Sequence, residues 1–162
     1  MTKETFAEAA HHLREAIFEG LPEGQRGDWH VAFAEKAATV TDWQMVIDKT
    51  VLTSLRIAQP HDTSESKVAS AVIALYERRL NGDNPREAEW NAAEAAAWAT
   101  RDAVATADAT WAARCAARCA ARCAAWGADA AWGAWDAVDA AGAAAGAADA
   151  TWVQIRDTFL NA

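Results

Sequence analysis

An alanine-rich tract with almost no helix breakers occupies the chain from Arg86 to its C-terminus. Alanine has the highest helix propensity, so the tract is predicted to be helical almost throughout. Its strong interruptions are the glycines at 127, 133, 142 and 146. As one helix it would be about 110 Å long, which is far longer than a compact domain of this size. We therefore expect it to fold back near Gly127 or Gly133, with another possible break near Gly142–Gly146.

The preceding half of the chain shows apolar residues at helical spacing, separated by turn signals. An amphipathic helix is predicted over Thr2–Glu19, with Gly20 as its stop and Leu21–Gly27 as a turn-rich connector. Asp28 is a candidate cap for a short helix carrying Trp29. Thr41 and Gln44 match a capping box that opens a helix through about Ala58.

The next helix is predicted to start at Asp62 or Thr63 and to end at Asn81-Gly82, before a new helix start at Asp83-Asn84-Pro85. No strand pattern competes anywhere in the chain. The prediction is a single all-α domain, an antiparallel helical bundle of about six to eight helices. It divides into N-terminal helices (1–59), a connector and helix (60–84), and Ala-rich hairpins plugged by tryptophans (85–162).

Charge and cysteine content limit the function classes. The chain carries a net charge of −8 at pH 7. This disfavours nucleic acid as a partner and suits a basic protein surface. Three clustered cysteines do not form a disulfide framework and favour a reducing cytoplasm. We expect no signal peptide and no membrane span, because no apolar stretch of the necessary length occurs.

Arginines and cysteines recur every four residues within Trp111–Trp135, as Arg114, Arg118 and Arg122 beside Cys115, Cys119 and Cys123. If the chain turns near Gly127, the next helix offers aspartates that share a face and would fix the register of the hairpin: Asp129, Asp136 and Asp139. We favour that pairing. The alternatives are that the arginines bind carboxylates of a protein partner or phosphates of a nucleic acid.

The cysteine ladder could present thiolates to a soft metal. However, a step of four residues advances about 40° around a helix, so the three sulfur atoms fan out. No C-x-x-C pair or nearby histidine completes a tetrahedral site. We therefore favour cysteines as small packing residues and expect no metal and no other cofactor.

Tryptophan is over-represented, with nine in the chain. Those in the Ala-rich tract do not form one helical stripe, so either all of them lie in the core or some lie on a binding face. The candidate partner-binding set combines these tryptophans with the arginine ladder: Trp98, Trp111, Arg114, Arg118, Arg122, Trp126, Trp132 and Trp135.

Catalytic groups are not recognisable in the sequence. His11 and His12 lie one turn from Glu15, but a di-metal site needs a second such motif on a facing helix, and His30 and His61 stand alone. We expect a solvated helix face there. No nucleophile–base arrangement or Gly-rich phosphate loop occurs, so the protein is predicted not to be an enzyme.

Several stretches between about residues 64 and 160 resemble an Ala/Trp-rich family of "putative immunity proteins" found beside bacterial toxins, with relatives in bacteriophages. The resemblance lies in Leu75–Pro85 (LYERRLNGDNP), Glu89-Trp90, the Ala/Trp/Arg tract, and the Trp152–Arg156 segment. It implies a helical protein that binds a partner, and it brings no catalytic residues.

The expected function is non-catalytic inhibition of a protein target, such as a basic nuclease or a toxin, through an acidic, Trp-bearing helical surface. Toxin immunity proteins and phage inhibitors of the anti-CRISPR type act in this way. The alternatives are a self-assembling structural protein, for instance a homodimer, and a metal or redox protein built on the cysteines or histidines. Neither direct nucleic-acid binding nor membrane association is expected.

Overall fold

The computed structural model describes residues 3–61, 67–99, 115–121, 136–138, 140, 143 and 149–162, with side chains described in the first two ranges for 10–61 and 67–97. Regular structure in these residues is entirely helical, with no strand among them. The predicted all-α bundle is therefore confirmed. None of the described helices combines the length and the apolar character needed to cross a membrane.

The described helices follow one another in this order. Helix α1 spans Lys3–Gly20, α2 spans Glu23–Arg26, α3 spans Trp29–Thr39 and α4 spans Trp43–Ala58, which continues into a 3-10 turn at Gln59–His61. Helix α5 spans Val68–Leu80, α6 spans Glu87–Ala99 and α7 spans Asp149–Asn161. Residues 115–121 and 136–138 are also helical.

Helix α4 is the central element and lies against α1, α5 and α7. Its Val46, Val51 and Leu55 are almost completely buried. Except for Ala10, the buried apolar side chains of the described residues form one cluster that runs from Leu13 to Phe159. Burial of this apolar surface is the main stabilising contribution to the fold.

An aromatic group joins α3, α4 and α7. The Phe159 ring stacks on Phe33 at 5.3 Å between centroids and meets Trp29 edge-on at 5.7 Å, with Trp43 at 6.3 Å. The buried indole N–H of Trp29 donates to the carbonyl of Arg14 at 2.9 Å, which also ties α3 to α1. These contacts hold the C-terminal helix against the N-terminal helices.

The start of α4 differs from the predicted Thr41/Gln44 capping box. Asp42 is the N-cap, and its carboxylate accepts a hydrogen bond from the Met45 N–H at 3.0 Å. Aspartate is a stronger N-cap than threonine. Gln44 instead donates to the Asp48 carboxylate at 2.8 Å.

Helix α3 begins directly after Asp28, as predicted, and Asp28 holds the N-cap position. Its side chain makes no capping hydrogen bond, whereas its backbone carbonyl accepts from Ala32. Helix α5 begins at Val68, directly after Lys67, which adopts a left-handed conformation with φ 43°. Asp62 and Thr63, where the start of this helix was predicted, lie outside the described residues. The predicted end at Asn81-Gly82 is confirmed, with Gly82 at φ 86°.

The end of α1 depends on the small size of Gly20. A Cβ atom at Gly20 would lie 2.0–2.4 Å from ring atoms of Trp152, so the indole of α7 occupies the space that a side chain would need. Within the predicted connector, the Arg26 guanidinium donates to the carbonyls of Glu19 and Leu21, each at 2.8 Å. It thereby satisfies carbonyl groups that the helix end leaves unpaired.

Alanines of the 115–121 segment contribute to the core as predicted for close helix packing. Ala116, Ala117, Ala120 and Ala121 are completely buried. The Tyr76 hydroxyl donates to the carbonyl of Ala120 at 2.9 Å, which joins this segment to α5. Trp90 and Trp152 are nearly fully buried, in agreement with tryptophans filling space between helices.

Glu89 organises the turn between α5 and α6. Its carboxylate accepts from the Arg78 guanidinium at 2.7 Å and from the Arg86 backbone N–H at 2.9 Å. The hydrogen bond from Arg78 first, and that from the Arg86 backbone second, lower the pKa of Glu89 to about 2. The carboxylate is therefore bound in its ionised form.

Glu89→Gln should lower the free energy of unfolding at pH 7. It should also make that free energy less dependent on pH in the acid range. A carboxyl whose folded pKa is depressed stabilises the fold above its unfolded value, 4.5 here, and loses that contribution as pH falls towards about 2. Urea unfolding at pH 7 and at several values between 4.5 and 2 measures this. Glu87→Gln, on the exposed first turn of α6, is the control. If the free energy of unfolding falls equally with pH in the Glu89→Gln variant and in the unsubstituted protein, the pKa of Glu89 is not lowered by these hydrogen bonds.

Candidate protein-binding site

An open groove of about 680 Å³ runs between α7 and α2 on the protein surface. Gln25 of α2 lies on one side, and the outward face of α7 forms the other through Asp149, Ala150, Val153, Gln154, Asp157, Thr158 and Asn161. A second cavity of about 230 Å³ shares Gln25 and Asp157 and adds Asp28 and Trp29 of the α3 start, Ala32, Arg156 and Leu160. We call the two together the α2–α7 groove.

The position of the groove follows from the amphipathic pattern of α7. Trp152, Ile155 and Phe159 recur at three- and four-residue intervals and are buried against the rest of the bundle. Residues at the intervening positions therefore face outward and form a regular stripe along the helix. Most of them are polar, and no described helix covers them.

The groove is lined by hydrogen-bond acceptors and carries negative charge. Among the described residues, the lining contains three carboxylates, those of Asp28, Asp149 and Asp157, and one guanidinium, that of Arg156. Arg156 is held by its own neighbours, because it donates to Asp157 at 2.6 Å and to Gln25 at 2.5 Å. The guanidinium thus links α7 to α2, and Asp28 and Asp149 make no ion pair with a described residue.

Of the predicted Arg–Asp pairing, only Arg118 and Asp136 have described side chains. The thiol of Cys119 lies 3.8 Å from Oδ2 of Asp136, so the 115–121 segment packs beside the segment that contains Asp136. The predicted hairpin likewise places these two segments side by side. The pairing itself stays a prediction, because Arg114, Arg122, Asp129 and Asp139 lie outside the described residues.

The predicted tryptophan surface also lies outside the described side chains. This applies to Trp98, Trp111, Trp126, Trp132 and Trp135. Their role in partner binding remains a prediction.

The described cysteines are held as neutral thiols. Burial raises the pKa of Cys119 to about 11, and the negative charge of Asp136 adds to the rise. Burial also raises the pKa of Cys115. Since the thiolate is the metal-binding and nucleophilic form, these two positions favour packing over thiolate chemistry. Cys123 lies outside the described residues.

The histidine positions give no metal centre among the described residues. No group of three or more histidine, cysteine, aspartate or glutamate side chains there is placed to hold an ion. The Glu15 carboxylate binds the Arg14 guanidinium at 2.5 Å, and that hydrogen bond is the main reason why the pKa of Glu15 is lowered. It is therefore engaged with a cation on its own helix.

A buried ion pair between α4 and α5 was not foreseen from the sequence. Asp48, only 3% exposed, pairs with Arg79, whose guanidinium lies over the rings of Tyr76 at 4.8 Å and Trp90 at 5.1 Å. Burial raises the pKa of Asp48, and Arg79 opposes that rise. The α2–α7 groove was also missed, although the polar stripe of α7 was a signal for an uncovered face.

Comparisons with family models, with curated proteins and with solved structures gave no match to this chain.

Proposed function

We propose that this chain is a non-catalytic inhibitor that acts in the cytoplasm by binding a protein target and neutralising it. Toxin immunity proteins and phage inhibitors of host defence, including those of the anti-CRISPR type, belong to this class. The target would carry a basic surface, as a nuclease does. The resemblance of residues 64–160 to the "putative immunity protein" family is in keeping with this function.

The α2–α7 groove is the observation that supports the proposal most directly. It combines an open surface with acidic groups, of which Asp28 and Asp149 make no ion pair with a described residue. Complementary charge speeds the encounter with a basic protein and selects against acidic ones. The net charge of −8 gives the whole molecule a field of the same sign.

The chemistry of the other polar groups also favours binding over catalysis. The pKa of the Cys119 thiol, about 11, keeps it protonated at neutral pH. The Asp48 carboxylate is enclosed and paired with Arg79. Neither group is presented to a substrate, whereas the acceptors of the α2–α7 groove are open to a large partner.

Reconstitution with a purified target tests the proposal. The immobilised protein would first select candidates from a host lysate, and each candidate would then be purified and mixed with the inhibitor. We expect a complex of defined stoichiometry by light scattering, and loss of the target's activity in proportion to the complex formed. A captured protein that keeps full activity in the complex would argue against inhibition. A stable homo-oligomer that recruits nothing would favour the self-assembling alternative.

A further inference from the structure

We propose that the α2–α7 groove receives an α-helix of the partner that carries two basic side chains seven or eight residues apart on one face. This inference rests on the proposed function, since it names the element of the target that the inhibitor recognises. The occupant is a protein helix rather than nucleic acid or a second copy of this chain.

The spacing follows from the geometry of α7. Asp149 and Asp157 both line the groove and are eight residues apart, which corresponds to about 12 Å along a helix axis at 1.5 Å per residue. A second helix lying alongside α7 presents residues at intervals of seven and eight on one face, about 10.5 and 12 Å apart. Lysine or arginine at those two positions would therefore reach both carboxylates together. Asp157 already accepts from Arg156 through Oδ1, but its side chain is half-exposed, so a second cation can approach it.

Two of the lining residues have short apolar side chains that suit a packed helix. Ala150 and Val153 lie between the two aspartates in the sequence, and their size permits an approach typical of packed helices, about 8–10 Å between axes. The other described residues that line the larger cavity are polar, among them Gln154 and Thr158 with their amide and hydroxyl groups. An amphipathic helix can therefore place an apolar residue against the small apolar area and its basic residues near the aspartates.

The negative charge of the groove disfavours nucleic acid and a second copy of the chain as occupants. Nucleic acid would bring phosphates against Asp28, Asp149 and Asp157. Arg156, the one cation among the described lining residues, already binds Asp157 and Gln25. A second copy of the chain also carries a net charge of −8, so its overall field opposes approach to an acidic groove. A basic helix is the occupant whose charge complements the groove.

Two synthetic peptides of identical composition test the inference. Both are alanine-rich 16-residue helices with two lysines, placed seven residues apart in the first peptide and adjacent in the second. Binding is followed by fluorescence anisotropy at low ionic strength and by amide chemical shifts of the isotope-labelled protein. We expect the first peptide to bind at least about tenfold more tightly than the second. Its shift changes should centre on α7 and α2.

Charge reversal of the protein supplies the matched control. Asp149→Lys should weaken binding of the first peptide at least about tenfold. Glu94→Lys changes the net charge equally, but on α6, and should weaken binding less than about twofold. Asp149 is exposed at the start of α7, and circular dichroism of both variants verifies that the helices are retained.

Three results would overturn the inference. These are equal binding of the two peptides, equal effects of Asp149→Lys and Glu94→Lys, and shift changes outside the α2–α7 groove. Failure here is distinguishable from failure of the proposed function. A target that is still inhibited by the Asp149→Lys variant shows that inhibition operates through another surface, whereas a protein without any inhibited target fails the earlier test.

Discussion

Arg79→Met should be the most destabilising single substitution of a charged residue among those described, lowering the free energy of unfolding at pH 7 by about 3–5 kcal/mol. The Asp48 carboxylate is 3% exposed and would lose its guanidinium partner while remaining enclosed. The contacts of Arg79 with the rings of Tyr76 and Trp90 would also be lost. Urea unfolding followed by tryptophan fluorescence gives the measurement.

The pH dependence of the free energy of unfolding shows whether the unpaired Asp48 carboxylate causes the destabilisation of the Arg79→Met variant. Burial raises the pKa of Asp48 in the folded protein, and Arg79 is the largest influence that lowers it. Its removal pushes the pKa higher still, so the folded state keeps a proton that the unfolded chain releases above its model value of 3.8. A raised carboxyl pKa makes the free energy of unfolding fall as pH increases through that window. The Arg79→Met variant should therefore lose more stability than the unsubstituted protein between pH 4 and 7.

Two further variants act as controls for the buried pair. Arg56→Met removes an exposed partner of Glu77 at 2.7 Å and should cost less than about 1 kcal/mol. The double substitution Asp48→Leu/Arg79→Met removes both charges and should recover most of the loss, because an apolar pair can replace a buried ion pair. A loss below about 1 kcal/mol for Arg79→Met alone would mean that water solvates Asp48 and that the pair contributes little.

The sequence predicted those helix boundaries that local residues determine. The helix expected over Thr2–Glu19 is observed as Lys3–Gly20, and the ends at Ala58 and Asn81-Gly82 are confirmed. Periodicity and stop residues act over a few positions, so they can be read without knowledge of the partner helices. The N-cap of α4 was predicted as Thr41 and is observed as Asp42. Local sequence could not decide between them, because threonine and aspartate are both favourable N-cap residues.

The features that define the candidate site depend on contacts between distant residues. Gln25 and Arg156 form a hydrogen bond across the groove, and no local pattern indicates that α2 lies beside α7. The Asp48–Arg79 pair is similar, because spacing along α4 does not reveal which helix covers Asp48. Met45 of α4 is 38% exposed although it is apolar, and spacing along α4 does not show which of its apolar residues another helix covers.

Gly20→Ala should lower the free energy of unfolding by about 3 kcal/mol, the upper range for an overpacked core position. In an open helix the same change stabilises by roughly 1 kcal/mol through helix propensity. At Gly20 the new methyl group would stand 2.0–2.4 Å from ring atoms of Trp152, which is itself only 5% exposed. Differential scanning calorimetry and urea unfolding would measure the change.

Gly24→Ala is the matched control, because Gly24 lies in α2 with no atom within 4 Å of the added Cβ. Its effect should be neutral or slightly stabilising. Combining Gly20→Ala with Trp152→Phe should cost less than the sum of the two single changes, which is the coupling expected for residues in contact. If the Gly20→Ala variant proved as stable as the Gly24→Ala variant, the indole of Trp152 would not pack against Gly20 of α1. Since Trp152 also anchors the helix that forms the wall of the α2–α7 groove, the same variant should shift the amide resonances of α7 and weaken binding of the basic peptide.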